Sequence, residues 1–355
     1  MMTKWNSKIL ITASIFSATL SINASASESL SIVGSWSSLP LNKMYETPFW
    51  NEIIPTESNG EFSVTMTTLD QMGIGGPDVF RMLSDGVFDI GMTSADYAVS
   101  DTPALEGLDV PLIANTASEA KDVIDAARPM VDDIFKDTFN AKVLAIVPYP
   151  SQVVFCNAEV KSLSDLAGLK IRASGRMTAK FLEALDAQSV NIGFGEVPGA
   201  LQRGVIDCAV TGAGSGYSAG WWEVTTHLMN LPLGGWDPVV TAINLDKWNS
   251  LSEKDQGFID ESVKSKFEKP VWDSAQSALN DDIACLTGND KCSKGDTRNL
   301  TLVEISEADM LKAKGILENK VLPEWAERAG SEWVERWNKT VGNVVGIEVT
   351  ANKVQ

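Results

Sequence analysis

Residues Lys161–Gly175 read KSLSDLAGLKIRASG, and residues Gly195–Gly212 read GEVPGALQRGVIDCAVTG. Leu169–Ile171 is a short apolar strand pattern that delivers one basic residue, Arg172, at its carboxyl end. A helical turn that Ser162 or Ser164 can cap precedes it. An amphipathic helix pattern follows, and then Gly204–Val210 reads as a second strand opening into a Gly-rich loop. A strand–helix–strand unit of this kind aims the carboxyl ends of both strands at one crevice. Open α/β sheets bind their ligands in that crevice.

Working outward, strand and helix patterns alternate, which argues for an α/β fold with largely parallel sheets. Leu30–Gly34 is a strand ending in Ser35-Trp36, residues 40–60 read as a helix, and Phe62–Thr68 alternates as a half-buried strand. Gly75-Gly76-Pro77-Asp78 breaks the chain, a helix runs through Leu83, and the Val87–Thr93 strand leads into Ser94–Tyr97. Lys142–Val147 ends at Pro148-Tyr149-Pro150, a natural crossover. Val239–Asn244 reads as a strand returning to the first lobe, and Leu300–Ile305 as a late strand before helices that carry Trp325, Trp333 and Trp337. Ser252 with Asp255 starts a long helix, which Pro270 should end or kink. The expected architecture has two lobes, each a mostly parallel sheet flanked by helices. Residues 27–148 with 236–270 form lobe I, and 149–235 with 271–355 form lobe II. The crossovers make a hinge and the cleft lies between the lobes.

Met1–Ala26 has the parts of a secretory signal: Lys4 and Lys8, an apolar run from Ile9 to Leu20, and Ala24-Ser25-Ala26 as the cleavage pattern. The protein is therefore expected to be exported to the periplasm. Its 355 residues carry a formal charge of −18, which disfavours nucleic acid and anionic membrane surfaces. Export makes disulfides plausible among the four cysteines. Cys285 and Cys292 enclose a loop tip and are expected to pair, whereas Cys156 and Cys208, on apolar strand patterns, are read as buried thiols, a second bridge being the alternative. The spacing fits no zinc site, and His227 is the single histidine. No nucleophile elbow, phosphate loop or catalytic triad is visible, so no enzyme, cofactor or metal is expected.

The blocks DLAGLKIR, GEVPGALQRGVID and WWEVTTHL resemble the solute-binding proteins of TRAP (tripartite ATP-independent periplasmic) transporters, of the dicarboxylate-binding (DctP) type. So do DQMG…RMLSDGVFDIGMTSADY in the first half and NLDKWNSLSEKDQGFID in the second. The resemblance runs from about Ser29 to the C-terminal helices, and the order of the blocks is more telling than any one of them. It implies a two-lobed periplasmic binding protein fold (type II-like) with a long kinked helix across both lobes, which Ser252–Leu286 fits. The implied role is capture of a small organic acid and its delivery to a permease of a small and a large membrane subunit, by a binding protein expected to act as a monomer. Two rivals are a sensor that presents its closed form to a receptor kinase and a periplasmic enzyme using the same cleft.

In that family the Arg of the GLKIR block pairs with the ligand carboxylate, and Arg172 occupies its place. A guanidinium meets a carboxylate with two parallel hydrogen bonds. The position where some relatives carry a further Arg falls on Gln152, and that of a common Asn falls near Thr211. One fixed positive charge suits a monocarboxylate, or a ligand whose far end is not anionic. Trp36, Ser94, Tyr97 and Trp236 complete the expected ligand-contacting set. Tyr217, Trp221 and Trp222 are further aromatics read as bordering the cleft.

Overall fold

The alternating apolar patterns condense into two sheets. A computed structural model describes residues 1–2 and 27–350, so the expected signal segment, Met1 and Met2 aside, lies outside the described residues. In chain order the strands are β1 Glu28–Gly34, β2 Phe62–Thr68, β3 Ile90–Ser94, β4 Ala141–Pro148, β5 Gln152–Cys156 and β6 Lys170–Arg172. They continue with β7 Gln188–Val190, β8 Cys208–Gly212, β9 His227–Met229, β10 Pro238–Asn244 and β11 Thr301–Val303. The first sheet has the order β2-β1-β3-β10-β4 and the second β11-β9-β5-β8-β6-β7. Helices flank both, as the mixed α/β reading requires. Strands β4, β5, β8 and β10 are buried almost throughout, the mark of sheets covered on both faces. Edge strand β2 keeps a more exposed pattern.

Each sheet contains one reversed strand. β10 runs antiparallel to β3 and β4, and β5 runs antiparallel to β8 and β9. Both are the first strand after a passage from the other sheet. Their neighbours point their carboxyl ends at the cleft, so a strand that starts there must run against them. Pro238 accordingly faces Pro148, and Gln152 faces Gly212. The two passages are hydrogen-bonded to each other: Tyr149 N donates to Asp237 O at 3.1 Å and Gln152 N to Gly235 O at 3.0 Å. Gly235 sits at φ +60°, and a Cβ there would lie 2.4 Å from Asp109 Oδ1, so only glycine fits this bend.

The helical run Glu253–Leu286 reaches across both halves over 34 residues. Trp272 Nε1 donates to Ile146 O of β4 at 2.9 Å, while Asp282 lies against Gly214 of the second half. Pro270 does not end the helix. The turn before it, Lys264–Glu268, widens to π geometry, which accommodates a residue that cannot donate to the ladder and crowds the carbonyl four positions back. Pro55 and Pro323 follow similar wide turns, Phe49–Ile53 and Leu317–Val321.

Three sequence expectations change. Cys156 and Cys208 are not buried thiols but form a disulfide, in addition to Cys285–Cys292. They face each other in the β5–β8 register, and directly opposed antiparallel neighbours are close enough to bridge. The stretch after β8 is not an open loop: Ala213–Ser218 is helical. Its glycines serve close packing, since a Cβ on Gly216 would lie 2.4 Å from the Phe155 ring. The C-terminal helices, expected wholly with the second lobe, also rest on the first half. Trp325 Nε1 donates to Pro103 O at 3.0 Å and Trp337 Nε1 to Gly107 O at 2.8 Å. No helix among the described residues is long and apolar enough to cross a membrane.

Candidate ligand-binding site

Where the strand ends of the two sheets face each other, side chains from both enclose a cavity of ≈ 30 Å³. That is room for about two water molecules. Arg172 closes strand β6 and is 4% exposed. Its Nε donates to Ile192 O at 3.1 Å and its Nη1 to Val210 O at 2.7 Å. Among the described residues no carboxylate pairs with it, which leaves the Nη2 hydrogens and one on Nη1 without an acceptor. Burial pulls its pKa down, while Tyr97, Asp237 and Asp96 act in the opposite sense. A rigid, buried guanidinium with spare donors can take up an anion, because an unpaired buried charge is costly.

Six of the seven expected contact residues line this cavity: Arg172, Gln152, Thr211, Trp36, Ser94 and Tyr97. Gln152 is already committed, since its Nε2 donates to Gly234 O and, at 3.3 Å, to Asp109 Oδ2. Trp236 is placed elsewhere. It is 4% exposed, donates from Nε1 to Ala114 O at 3.1 Å, and packs in an apolar pocket with Trp272 and Leu108. The residue beside it, Asp237, takes the place at the cavity wall, because the φ of +41° at Asp237 turns successive side chains to different sides of the backbone. Trp221, Trp222 and Tyr217 also lie outside the cavity. Trp221 is in the core beside Phe155, Trp222 stacks under the Arg298 guanidinium at 3.8 Å, and Tyr217 Oη donates to Asp296 O.

The sequence reading missed Asp237, Tyr149, Ser174 and Phe194, which line the wall together with Leu39, Thr93 and Ser215. Two of them present buried polar atoms without partners among the described residues, Tyr149 Oη and Ser174 Oγ. Phe194 meets Trp36 across the cleft with ring centroids 5.6 Å apart. A signal for Tyr149 and Asp237 was present: each stands at a crossover, Tyr149 between two prolines and Asp237 after Gly234-Gly235. Behind the wall lies a set of acids. Asp96 is pushed up to about 8 by burial, then by Asp237 and Glu106. Burial, Asp96 and Asp237 raise Asp109, and burial raises Asp237.

The family model for bacterial extracellular solute-binding protein, family 7, matches residues 40–282. The ectoine-binding periplasmic protein TeaA of Halomonas elongata is 23% identical over 220 residues, covering 61% of this chain and 64% of TeaA. The match thus spans slightly less than two thirds of that relative. A Bordetella pertussis extracytoplasmic solute receptor binding pyroglutamic acid superposes with a TM-score of 0.77 at 17% identity, over 90% of this chain and 100% of the receptor. A marine metagenome TRAP solute binding protein specific for aromatic acid ligands, in complex with 3-hydroxybenzoate, gives 0.75 at 25% identity, over 90% and 98%. With the two sheets, the spanning helix and a family model that covers most of the chain, the protein belongs to bacterial extracellular solute-binding protein family 7, whose structural relatives are TRAP-type periplasmic binding proteins.

Proposed function

We propose that the protein captures a small organic acid between its lobes and delivers it to a TRAP-type permease from the periplasm. The carrying observation is Arg172: buried, held by two backbone carbonyls, and without a carboxylate partner among the described residues. A ligand carboxylate supplies the missing acceptor. The family match and the acids bound by the structural relatives support this reading. A cavity of ≈ 30 Å³ is too small to hold a whole organic acid, so binding requires the lobes to part. Trp36 and Phe194, from opposite halves, then close on the ligand body, and Tyr149 Oη and Ser174 Oγ take up its polar groups.

A thermal-shift screen of residues 27–355 against aliphatic, hydroxy, dicarboxylic and aromatic acids tests this. A ligand at about a hundred times its Kd adds about 2.7 kcal/mol of stability. The shift should vanish in Arg172→Ala and persist, weakened, in Arg172→Lys. A full shift surviving in Arg172→Ala rules out the role of that residue.

A further inference from the structure

Among the described residues one cation, Arg172, lines this cavity, and the carboxyl groups around it outnumber it. Asp237 lines the wall; Asp109, 2% exposed, stands directly behind; Asp96 adjoins both; and Glu46, fully buried, lies beyond Tyr149. A plain monocarboxylate would satisfy Arg172 and leave Asp237 without a cationic partner. Asp237 is also held as a receptor is held. Its backbone N–H donates to Asp109 Oδ1 at 2.7 Å, and its Oδ1 accepts from Ser94 Oγ. Its Oδ2 accepts nothing among the described residues. Around the same space stand the rings of Trp36, Tyr97, Tyr149 and Phe194, and aromatic faces attract cations as well as apolar bodies.

We infer that the ligand is a zwitterion: its carboxylate lies on Arg172 and its cationic nitrogen, an ammonium, quaternary ammonium or amidinium, lies on Asp237 within the aromatic wall. The inference rests on the carboxylate reading of Arg172 and narrows it to acids that carry their own counter-charge. Pairing each end separately leaves no net charge buried by closure, the condition under which buried ions are tolerated. The raised carboxyl of Asp237 agrees with this, because a cation beside it restores the ionised form.

Isosteric pairs that differ only in the positive centre separate the two readings. Glycine betaine is compared with 3,3-dimethylbutanoate, proline with cyclopentanecarboxylate, and 4-aminobutanoate with pentanoate, by calorimetry on wild type and Asp237→Asn. The asparagine variant keeps an acceptor for Ser94. The expected result is that at least one zwitterion binds wild type about tenfold or more tighter than its isostere, and that Asp237→Asn abolishes the preference. Binding of the isosteres as tightly as the zwitterions, or a preference unchanged in Asp237→Asn, overturns the inference and leaves the carboxylate reading intact. Absence of binding by every member of the panel counts against both.

Discussion

The carboxylate of Asp96, just after β3, rests against the α-carbon of Gly175 in the opposite half: a Cβ at residue 175 would lie 1.3 Å from Asp96 Oδ2 and 2.4 Å from its Cγ. Gly175 has φ −147° and stands at the head of the helix Arg176–Ala184. Its backbone is extended and suits any residue, so the contact alone demands glycine. Gly175→Ala should therefore leave each half folded and hold the halves apart. The expected outcome is a near-normal melting temperature without ligand and a Kd raised about a hundredfold, as the competent closed state becomes rare. Asp96→Ala in the same chain should restore most of the affinity. Normal binding by Gly175→Ala alone would show that closure does not use this contact.

Closure should also weaken as pH rises. In the closed molecule burial lifts Asp96 from 3.8 to about 8, and Asp109 and Asp237 move the same way. Between those values the closed form holds protons that a solvated carboxyl has released. Raised acids favour the more protonated state, so the closed form is best supported below about pH 4 and loses that support on the way to about pH 8. Small-angle scattering of the ligand-free protein should show expansion between about pH 5 and about pH 9, with a flatter profile in Asp96→Asn. A radius of gyration constant over that range contradicts the assignment.

The two disulfides should differ in worth. Cys156–Cys208 closes a separation of 52 residues and Cys285–Cys292 one of 7. In the chain-entropy account these contribute about 4 and about 2 kcal/mol. Urea melts of the paired serine variants measure both, and equal losses would show that loop closure is not what the bridges supply.

Two tryptophans expected as ligand contacts should part company. Trp236→Ala removes a buried ring and its hydrogen bond to Ala114 O, at a cost of about 3–5 kcal/mol, while ligand preference stays as it was. Trp36→Ala takes away one wall of the cavity and should weaken binding about tenfold or more with a smaller stability loss. Denaturation curves and calorimetry on the two variants decide it, and the reverse pattern would overturn the placement.

Local signals carried much of the architecture. Phe62–Thr68 alternates as expected of β2, and the proline-rich crossover after β4 lies where the chain changes sheets. Arg172 was legible because a short apolar strand ends on it. What escaped notice depends on register and on three-dimensional approach. The Cys156–Cys208 bridge follows from the pairing of strands far apart in sequence, which a local pattern does not encode. The exchange of Trp236 for Asp237 turns on a single left-handed residue. Gly212–Gly216 suggested looseness, although Gly214 and Gly216 let Asp282 and Phe155 approach a helix closely. Acids such as Asp96 and Asp109 were lost among many others, since in so acidic a chain only burial distinguishes them.

The reversed strands bear on the order in which the molecule is assembled. Among the described residues β4 has β10 as its sole partner, and β10 begins only at Pro238, after β5 to β9 have been made. A chain growing from its amino terminus therefore holds an apolar strand with both edges open while it lays down most of the other sheet. Long-range pairing of this kind slows folding, and unpaired strand edges invite association between copies. The excursion of the chain into the second sheet thus makes the newborn chain dependent on being kept apart from its neighbours until β10 arrives.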